Sequence, residues 1–192
     1  MRKKRNSAQN LSKGISVPLS DTTKAKLKNR VVWSRLVGWG LLCYATAAYG
    51  GIVTAPAIPE WYVSLNKPSF NPPDWIFAPV WSVLYALLGI SIWLATEFQQ
   101  TGTNEAAKPP SKTSIQLTFV IVLFLNGIWS WAFFGQQNPA LGLIVLIILL
   151  ALSFFTFRLF YRAQIFAAWL YLPYLLWVSF AAVLNASIVV LN

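Results

Sequence analysis

Apolar residues in this chain are grouped into five long segments that are separated by polar stretches. The segments cover residues 31–54, 75–98, 114–134, 139–157 and 163–191. A helix that crosses a membrane needs about 20 consecutive apolar residues. Backbone polar groups inside hydrocarbon must be paired within the segment, which requires helices. The pattern therefore predicts an all-α integral membrane bundle of five transmembrane helices.

Local signals refine the helix ends. Asp74 follows two prolines and is a candidate N-cap of the second helix. Pro139 stands in the first turn of the fourth helix, where its missing N–H does no harm. Pro173 lies inside the fifth segment and removes a backbone bond to Trp169, which predicts a kink. That kink serves either simple packing or the shaping of a cavity.

Composition agrees with a membrane protein and excludes several kinds of site. The chain has 192 residues, of which 57% are hydrophobic and 10% are charged, whereas a soluble domain carries about 25% charged residues. It has no histidine and a single cysteine, Cys43, so we expect no disulfide framework, no Cys/His metal site and no cofactor. The acidic residues fall in loops or at segment ends, which argues against an acid–base catalyst and against an ion-coupled pump.

Basic residues are distributed unevenly along the chain. Residues 1–30 contain nine Lys or Arg against Asp21 alone, which predicts a disordered basic tail. Contact with anionic lipid, at about 1 kcal/mol per residue, is favoured over nucleic acid, for which no readout motif is present. An organelle transit peptide is a further alternative.

The same bias predicts orientation. Lys108, Lys112, Arg158 and Arg162 fall on the side of the basic tail, and Lys67 falls on the other. Because basic loops stay on the cytoplasmic side, we expect the N-terminus inside and the C-terminus outside. A bacterial inner membrane is the expected location, and a mitochondrial outer or plastid membrane is the alternative.

Residues 55–74 are too rich in proline and aromatic residues to form an ordinary linker. We interpret this stretch as a structured first loop, of which residues 61–74 act as a lid over an aromatic pocket wall. The residues assigned to the lid are Trp61, Lys67, Pro68, Pro72 and Pro73.

Three of the predicted helices carry aromatic and polar residues at helical spacing. The stripes are Phe77, Trp81, Tyr85 and Leu88 on the second helix, Asn126, Trp129, Ser130 and Phe133 on the third, and Pro173, Trp177, Ala181 and Asn185 on the fifth. Such stripes often form a packed core, and Asn in a span often makes an interhelical hydrogen bond. Small residues, however, alternate with the tryptophans, which leaves room beside flat walls for a planar apolar ligand.

The motif from Trp61-Tyr62 through Lys67-Pro68, Pro72-Pro73 and Ala78-Pro79-Val80-Trp81 to Gly89 closely resembles the signature of the TspO/MBR family of tryptophan-rich sensory and translocator proteins. Two further blocks agree, one from Asn126 to Gly135 and one from Pro173 to Asn185. The resemblance implies a five-helix bundle, often homodimeric, whose first loop covers a cavity that binds porphyrins such as protoporphyrin IX. Together with the stripes, it nominates as ligand-binding residues Tyr62, Ala78, Trp81, Tyr85, Asn126, Trp129, Trp177, Phe180 and Ala181.

The function implied is a membrane receptor or sensor for tetrapyrroles, with light- and oxygen-dependent porphyrin breakdown or passive transport of porphyrin or steroid as alternatives. Sterol binding has weaker support, because the basic residue of a cholesterol-type pattern is missing after Leu184-Asn185. Two other positions depart from the family, with Phe70 in place of a lid tryptophan and Leu141 where animal relatives have tryptophan.

Overall fold

The computed structural model describes residues 21–100 and 108–192, with side chains described from residue 29 onward. Its main helices are α1 (Asp21–Thr54), α2 (Phe77–Glu97), α3 (Lys112–Ser130), α4 (Pro139–Ala163) and α5 (Ile165–Leu191). The described residues contain no β-strand, and five helices are long and apolar enough to cross a membrane. The predicted all-α fold with five spans is therefore confirmed.

The described chain divides into two compact units, the first ending at Trp33 and the second covering Ser34–Asn192. Helix α1 already begins at Asp21, so the expected disorder does not hold for residues 21–30, and residues 1–20 lie outside the described residues. Ala, Leu and Lys in this stretch are good helix formers, and extending an existing helix is much easier than nucleating a new one.

The interpretation of residues 55–74 as a loop is wrong for its first half. The chain continues from α1 into a 3₁₀ turn, Ala55–Ala57, and a π turn, Ile58–Tyr62. Pro56 stands near the start of the 3₁₀ turn and Pro59 near the start of the π turn, and each lacks the N–H that would continue the α-helical hydrogen-bond pattern of α1. The loop itself covers only residues 65–73 and is followed by the 3₁₀ turn Asp74–Ile76.

Other helix ends also differ from the prediction. Pro73, not Asp74, occupies the N-cap position of the turn before α2, without a side-chain cap bond. Helix α4 runs to Ala163, so that Arg158 and Arg162 lie within the helix and not in a loop. Pro173 lies inside α5, which continues unbroken from Ile165 to Leu191 because the other residues still provide the helical bonds.

The core of the bundle lies among α2, α3, α4 and α5. Its largest fully buried side chains include Phe119, Phe160, Tyr171 and Tyr174. Helix α1 approaches α2 through small residues, since an added Cβ on Gly89 would lie 3.3 Å from Cα of Gly40. Close approach of this kind through small residues is the usual way in which helices associate in lipid.

One ion pair and two loop contacts bring several helix ends to the same side of the bundle. Arg35 Nη1 of α1 lies 2.8 Å from Glu97 Oε1 at the end of α2. The backbone N–H of Gln100 donates to the Ala163 carbonyl at 2.8 Å, and Gln164 Nε2 donates to the Phe98 carbonyl at 3.3 Å. The part of α1 around Arg35, the end of α2 and the α4–α5 connection therefore share one side, opposite the 65–73 loop.

Candidate ligand-binding cavity

A cavity of about 390 Å³ opens between α1 and its helical extension, α2, α3 with the following π turn, and α5. Its volume falls within the range of about 300–1,000 Å³ that small-molecule sites occupy. All the residues nominated from the sequence line this cavity, namely Tyr62, Ala78, Trp81, Tyr85, Asn126, Trp129, Trp177, Phe180 and Ala181. The structure thus brings them together, and their role in binding a ligand stays a prediction.

Flat aromatic pairs form the cavity walls. Trp81 stacks on Tyr85 along α2, with ring centroids 5.5 Å apart and planes inclined by 29°. Trp129 stacks on Phe133 of the π turn at 5.7 Å and 28°. Trp177 packs its ring against Phe77 at 6.0 Å in an edge arrangement. Each helix therefore presents a rigid ring surface, and no flexible aliphatic chain occupies these positions.

The amide side chains near the cavity are largely used within the protein. Asn126 Nδ2 donates to Tyr174 Oη at 2.7 Å, which joins α3 to α5. Asn185 Nδ2 donates to the Pro139 carbonyl at 2.8 Å, and its Oδ1 accepts from Trp129 Nε1 at 3.4 Å. These bonds are the interhelical role that amides often have in membranes, and here they also fix the orientation of the Trp129 wall.

Six other lining residues carry side-chain hydrogen-bonding groups that make no bond to another described residue. They are the indole N–H groups of Trp81 and Trp177, the hydroxyl groups of Thr54, Tyr85 and Ser130, and the carboxylate of Asp74. A mostly apolar cavity with a few donors of this kind suits a ligand that is hydrophobic but carries scattered acceptor atoms.

The five residues assigned to the lid do not line the cavity, although Tyr62 and Asp74 of the same stretch do. Trp61 lies on the π turn and packs edge-on against Phe133 at 5.4 Å, while Phe70 of the loop packs against Phe180 at 6.3 Å. Lys67 Nζ donates to the carbonyl groups of Tyr62 at 2.6 Å and Leu65 at 3.3 Å. The lysine thus satisfies carbonyl groups where the first helical segment ends, as basic residues commonly do.

The prolines of the lid fix local turns. The backbone N–H of Asn71 donates to the Pro68 carbonyl at 3.0 Å, and the side-chain Nδ2 of Asn71 donates to the Pro72 carbonyl at 2.9 Å. The Pro73 carbonyl accepts from the backbone N–H of Ile76 at 3.0 Å. Their contribution is the shape of the loop, since none of the assigned lid residues is among those that line the cavity.

Sequence reasoning missed the contribution of α1. Ala47, Gly50, Gly51 and Thr54 line the cavity, although none of them is among the residues nominated from the sequence. An added Cβ on Gly50 would lie 3.2 Å from the Ser130 hydroxyl oxygen. The available signal was the run of small residues at helical spacing, which matches the bulky stripes of the other helices.

Comparisons with known proteins agree with this architecture. The model of the "TspO/MBR family" matches residues 39–191. A "Tryptophan-rich protein TspO" of Chlorobaculum tepidum is 37% identical, over 79% of this chain and 91% of its own length. A protein of the same name from Archaeoglobus fulgidus is 37% identical over 82% of this chain and 97% of its own length. The "Translocator protein" of Bos taurus is 31% identical over 80% and 87%, respectively.

These matches confirm the resemblance drawn from the motifs, and they extend it across all five helices that could span a membrane. The chain is a multi-pass membrane protein that belongs to the TspO/MBR family.

Proposed function

We propose that this protein is a membrane receptor of the sensor type that binds a tetrapyrrole, such as protoporphyrin IX, in the cavity between its helices. The observation that carries the proposal is the set of flat aromatic walls on three different helices around one void of about 390 Å³. A planar conjugated ring can stack on such walls, and each aromatic contact contributes about 0.5–1.5 kcal/mol beyond burial of its area.

Two alanines provide the space for such a ligand. Ala78 precedes Trp81 on α2, and Ala181 follows Trp177 on α5, and all of these residues line the cavity. A larger side chain at either alanine would occupy the space that the ligand requires. Filling the cavity therefore tests the proposal more directly than removal of a polar group.

The test is a titration of the purified protein in lipid nanodiscs with protoporphyrin IX, followed by porphyrin absorbance in the dark. We expect saturable binding that Ala181→Leu weakens at least about tenfold, which corresponds to about 1.4 kcal/mol. Ala151→Leu is the matched control, because Ala151 is exposed on α4 and does not line the cavity. Absence of saturable binding, or equal affinities of the two variants, would refute the proposal.

The tryptophan walls allow an independent test. Trp81→Phe combined with Trp177→Phe shortens two stacking surfaces, and we expect weaker binding together with a changed porphyrin spectrum. Trp169→Phe serves as the control, since Trp169 is 60% exposed and lies outside the cavity lining. Identical spectra for all three proteins would argue against stacking on these walls.

The proposed orientation places the Arg35–Glu97 side in the cytoplasm and the 65–73 loop outside, in a bacterial inner membrane. The proposal rests on the rule that basic residues stay on the cytoplasmic side of a membrane. The Arg35–Glu97 ion pair and the loop contacts bring the helix ends that carry basic residues to one side of the bundle. Single cysteines at Asn66 and Gln164 in a Cys43→Ala background test it with a membrane-impermeant thiol reagent on intact cells. We expect labelling at Asn66 alone, and labelling at Gln164 alone would reverse the orientation.

A further inference from the structure

One lining residue of the cavity differs in kind from the rest. Asp74 is the single charged side chain among the described residues that line the cavity, and the others are apolar, aromatic or neutral polar. It is exposed and begins the turn that leads into α2, beside the exposed lining residues Ala78 and Ser82. These three residues define the α2 side of what we call the cavity mouth.

No basic side chain offsets this carboxylate within the described part of the protein. Lys67 is the basic residue of the neighbouring loop, but its Nζ donates to the carbonyl groups of Tyr62 and Leu65 and lies 4.6 Å from the centre of the Tyr62 ring. Lys67 does not line the cavity, and the structure gives Asp74 no ion pair with residues 29–100 or 108–192.

The N-terminal end of α2 is also a poor binding site for an anionic group of a ligand. Asp74 lies in the first turn before α2, where an acidic side chain interacts favourably with the partial positive charge of a helix N-terminus. Because the aspartate already occupies this position, a carboxylate of a ligand would meet the aspartate charge as well as the helix end.

The position of a ligand carboxylate is constrained by the rest of the cavity. The walls are aromatic and apolar, and burial of an unpaired carboxylate against them is strongly unfavourable. A carboxylated ligand would therefore direct its acidic groups to the exposed mouth, where Asp74 lies.

We propose that Asp74 is a specificity-determining residue, which makes the cavity favour ligands with an esterified or otherwise uncharged periphery over the same ligands with free carboxylates. The inference rests on the proposed function, since it assumes that the cavity is the binding site. It assigns the preferred chemical class within the tetrapyrroles, which neither the fold nor the family membership specifies.

The test is a cycle of four affinities, measured with protoporphyrin IX and its dimethyl ester on the wild type and on Asp74→Asn. We expect Asp74→Asn to tighten binding of the free acid about three- to tenfold, the range for like charges several ångströms apart in partly solvated surroundings. Binding of the ester should stay unchanged. The effect on the free acid should shrink at high salt, because exposed charges are screened.

Glu60→Gln is the matched control. Glu60 is exposed, lies on the π turn of the same region and does not line the cavity. Removing its charge tests whether any nearby negative charge affects the free acid, and we expect no change in either affinity.

The outcomes separate this inference from the proposed function. If both ligands bind the wild type and Asp74→Asn shifts both affinities equally or shifts neither, the specificity role is wrong while the binding function stands. An equal effect of Glu60→Gln on the free acid would also overturn the role of Asp74. If neither ligand binds saturably, both the proposed function and this inference are refuted.

Discussion

The close contact between α1 and α2 leads to a prediction that depends on a single added methyl group. In the structure, a Cβ on Gly89 would lie 3.3 Å from Gly40 Cα, 3.4 Å from Gly40 N and 3.7 Å from the Trp39 carbonyl carbon. Carbon atoms in ordinary contact lie about 3.5–4.0 Å apart. The neighbouring atoms are backbone, so that α1 itself must move to admit the methyl group of Gly89→Ala.

Two opposing contributions determine how Gly89→Ala changes the free energy of unfolding. Adding a methyl group to a well-packed interface costs about 1–3 kcal/mol, while replacing glycine by alanine in a helix contributes up to about 1 kcal/mol of stabilisation. Two matched substitutions isolate the packing term, because an added Cβ at Gly38 or Gly40 would meet nothing within 4 Å. Gly40→Ala is the sharper control, since Gly40 is the contact partner of Gly89 but its own Cβ would point to open space.

The assay is thermal unfolding of the wild type and the three alanine variants in one detergent. For a protein of this size, 1 kcal/mol shifts the midpoint by about 2–4 °C, so we expect Gly89→Ala to unfold about 2–12 °C below Gly40→Ala. The two control variants should match or exceed the wild type. If Gly89→Ala and Gly40→Ala unfold at the same temperature, the α1–α2 contact is not as tight as the structure places it.

Three further predictions concern polar contacts. Asn185→Leu removes the donor to the Pro139 carbonyl and leaves the Trp129 N–H without its acceptor. We therefore expect a loss of about 1–3 kcal/mol in the free energy of unfolding together with weaker porphyrin binding, and an unchanged unfolding midpoint would contradict this. Ser91→Ala removes a buried 2.6 Å bond to the Ala167 carbonyl, yet that carbonyl keeps its helical bond, so the loss should be only about 0.6 kcal/mol. Lys67→Met removes the donor to the Tyr62 carbonyl. We expect faster hydrogen exchange of the backbone amides in residues 65–73 and an almost unchanged unfolding midpoint. Unaltered exchange would show that the lysine does not stabilise the loop.

Much of the site could be predicted because its residues stand out chemically. Tryptophans at helical spacing on the second, third and fifth helices identified the walls, and the structure places Trp81, Trp129 and Trp177 around one cavity. The helical extension through Tyr62 could not be predicted from composition, because Pro56 and Pro59 normally indicate a loop. Here both prolines stand near the starts of 3₁₀ and π turns, which continue the helix with a changed hydrogen-bond pattern.

The sequence by itself determined the number of spans, the all-α fold, the family and the residues that form the aromatic walls. Long apolar segments permit only helices in a membrane, and the spacing of the side chains shows which of them share a face. Only the tertiary structure decided that small residues of α1 complete the cavity, that Asn126 and Asn185 are bonded within the protein, and that Asp74 is the charge at the mouth. The physical reason is that lipid is as apolar as the helices, so which helix faces meet depends on close packing and interhelical bonds. A hydrophobic pattern read along one chain does not contain that information.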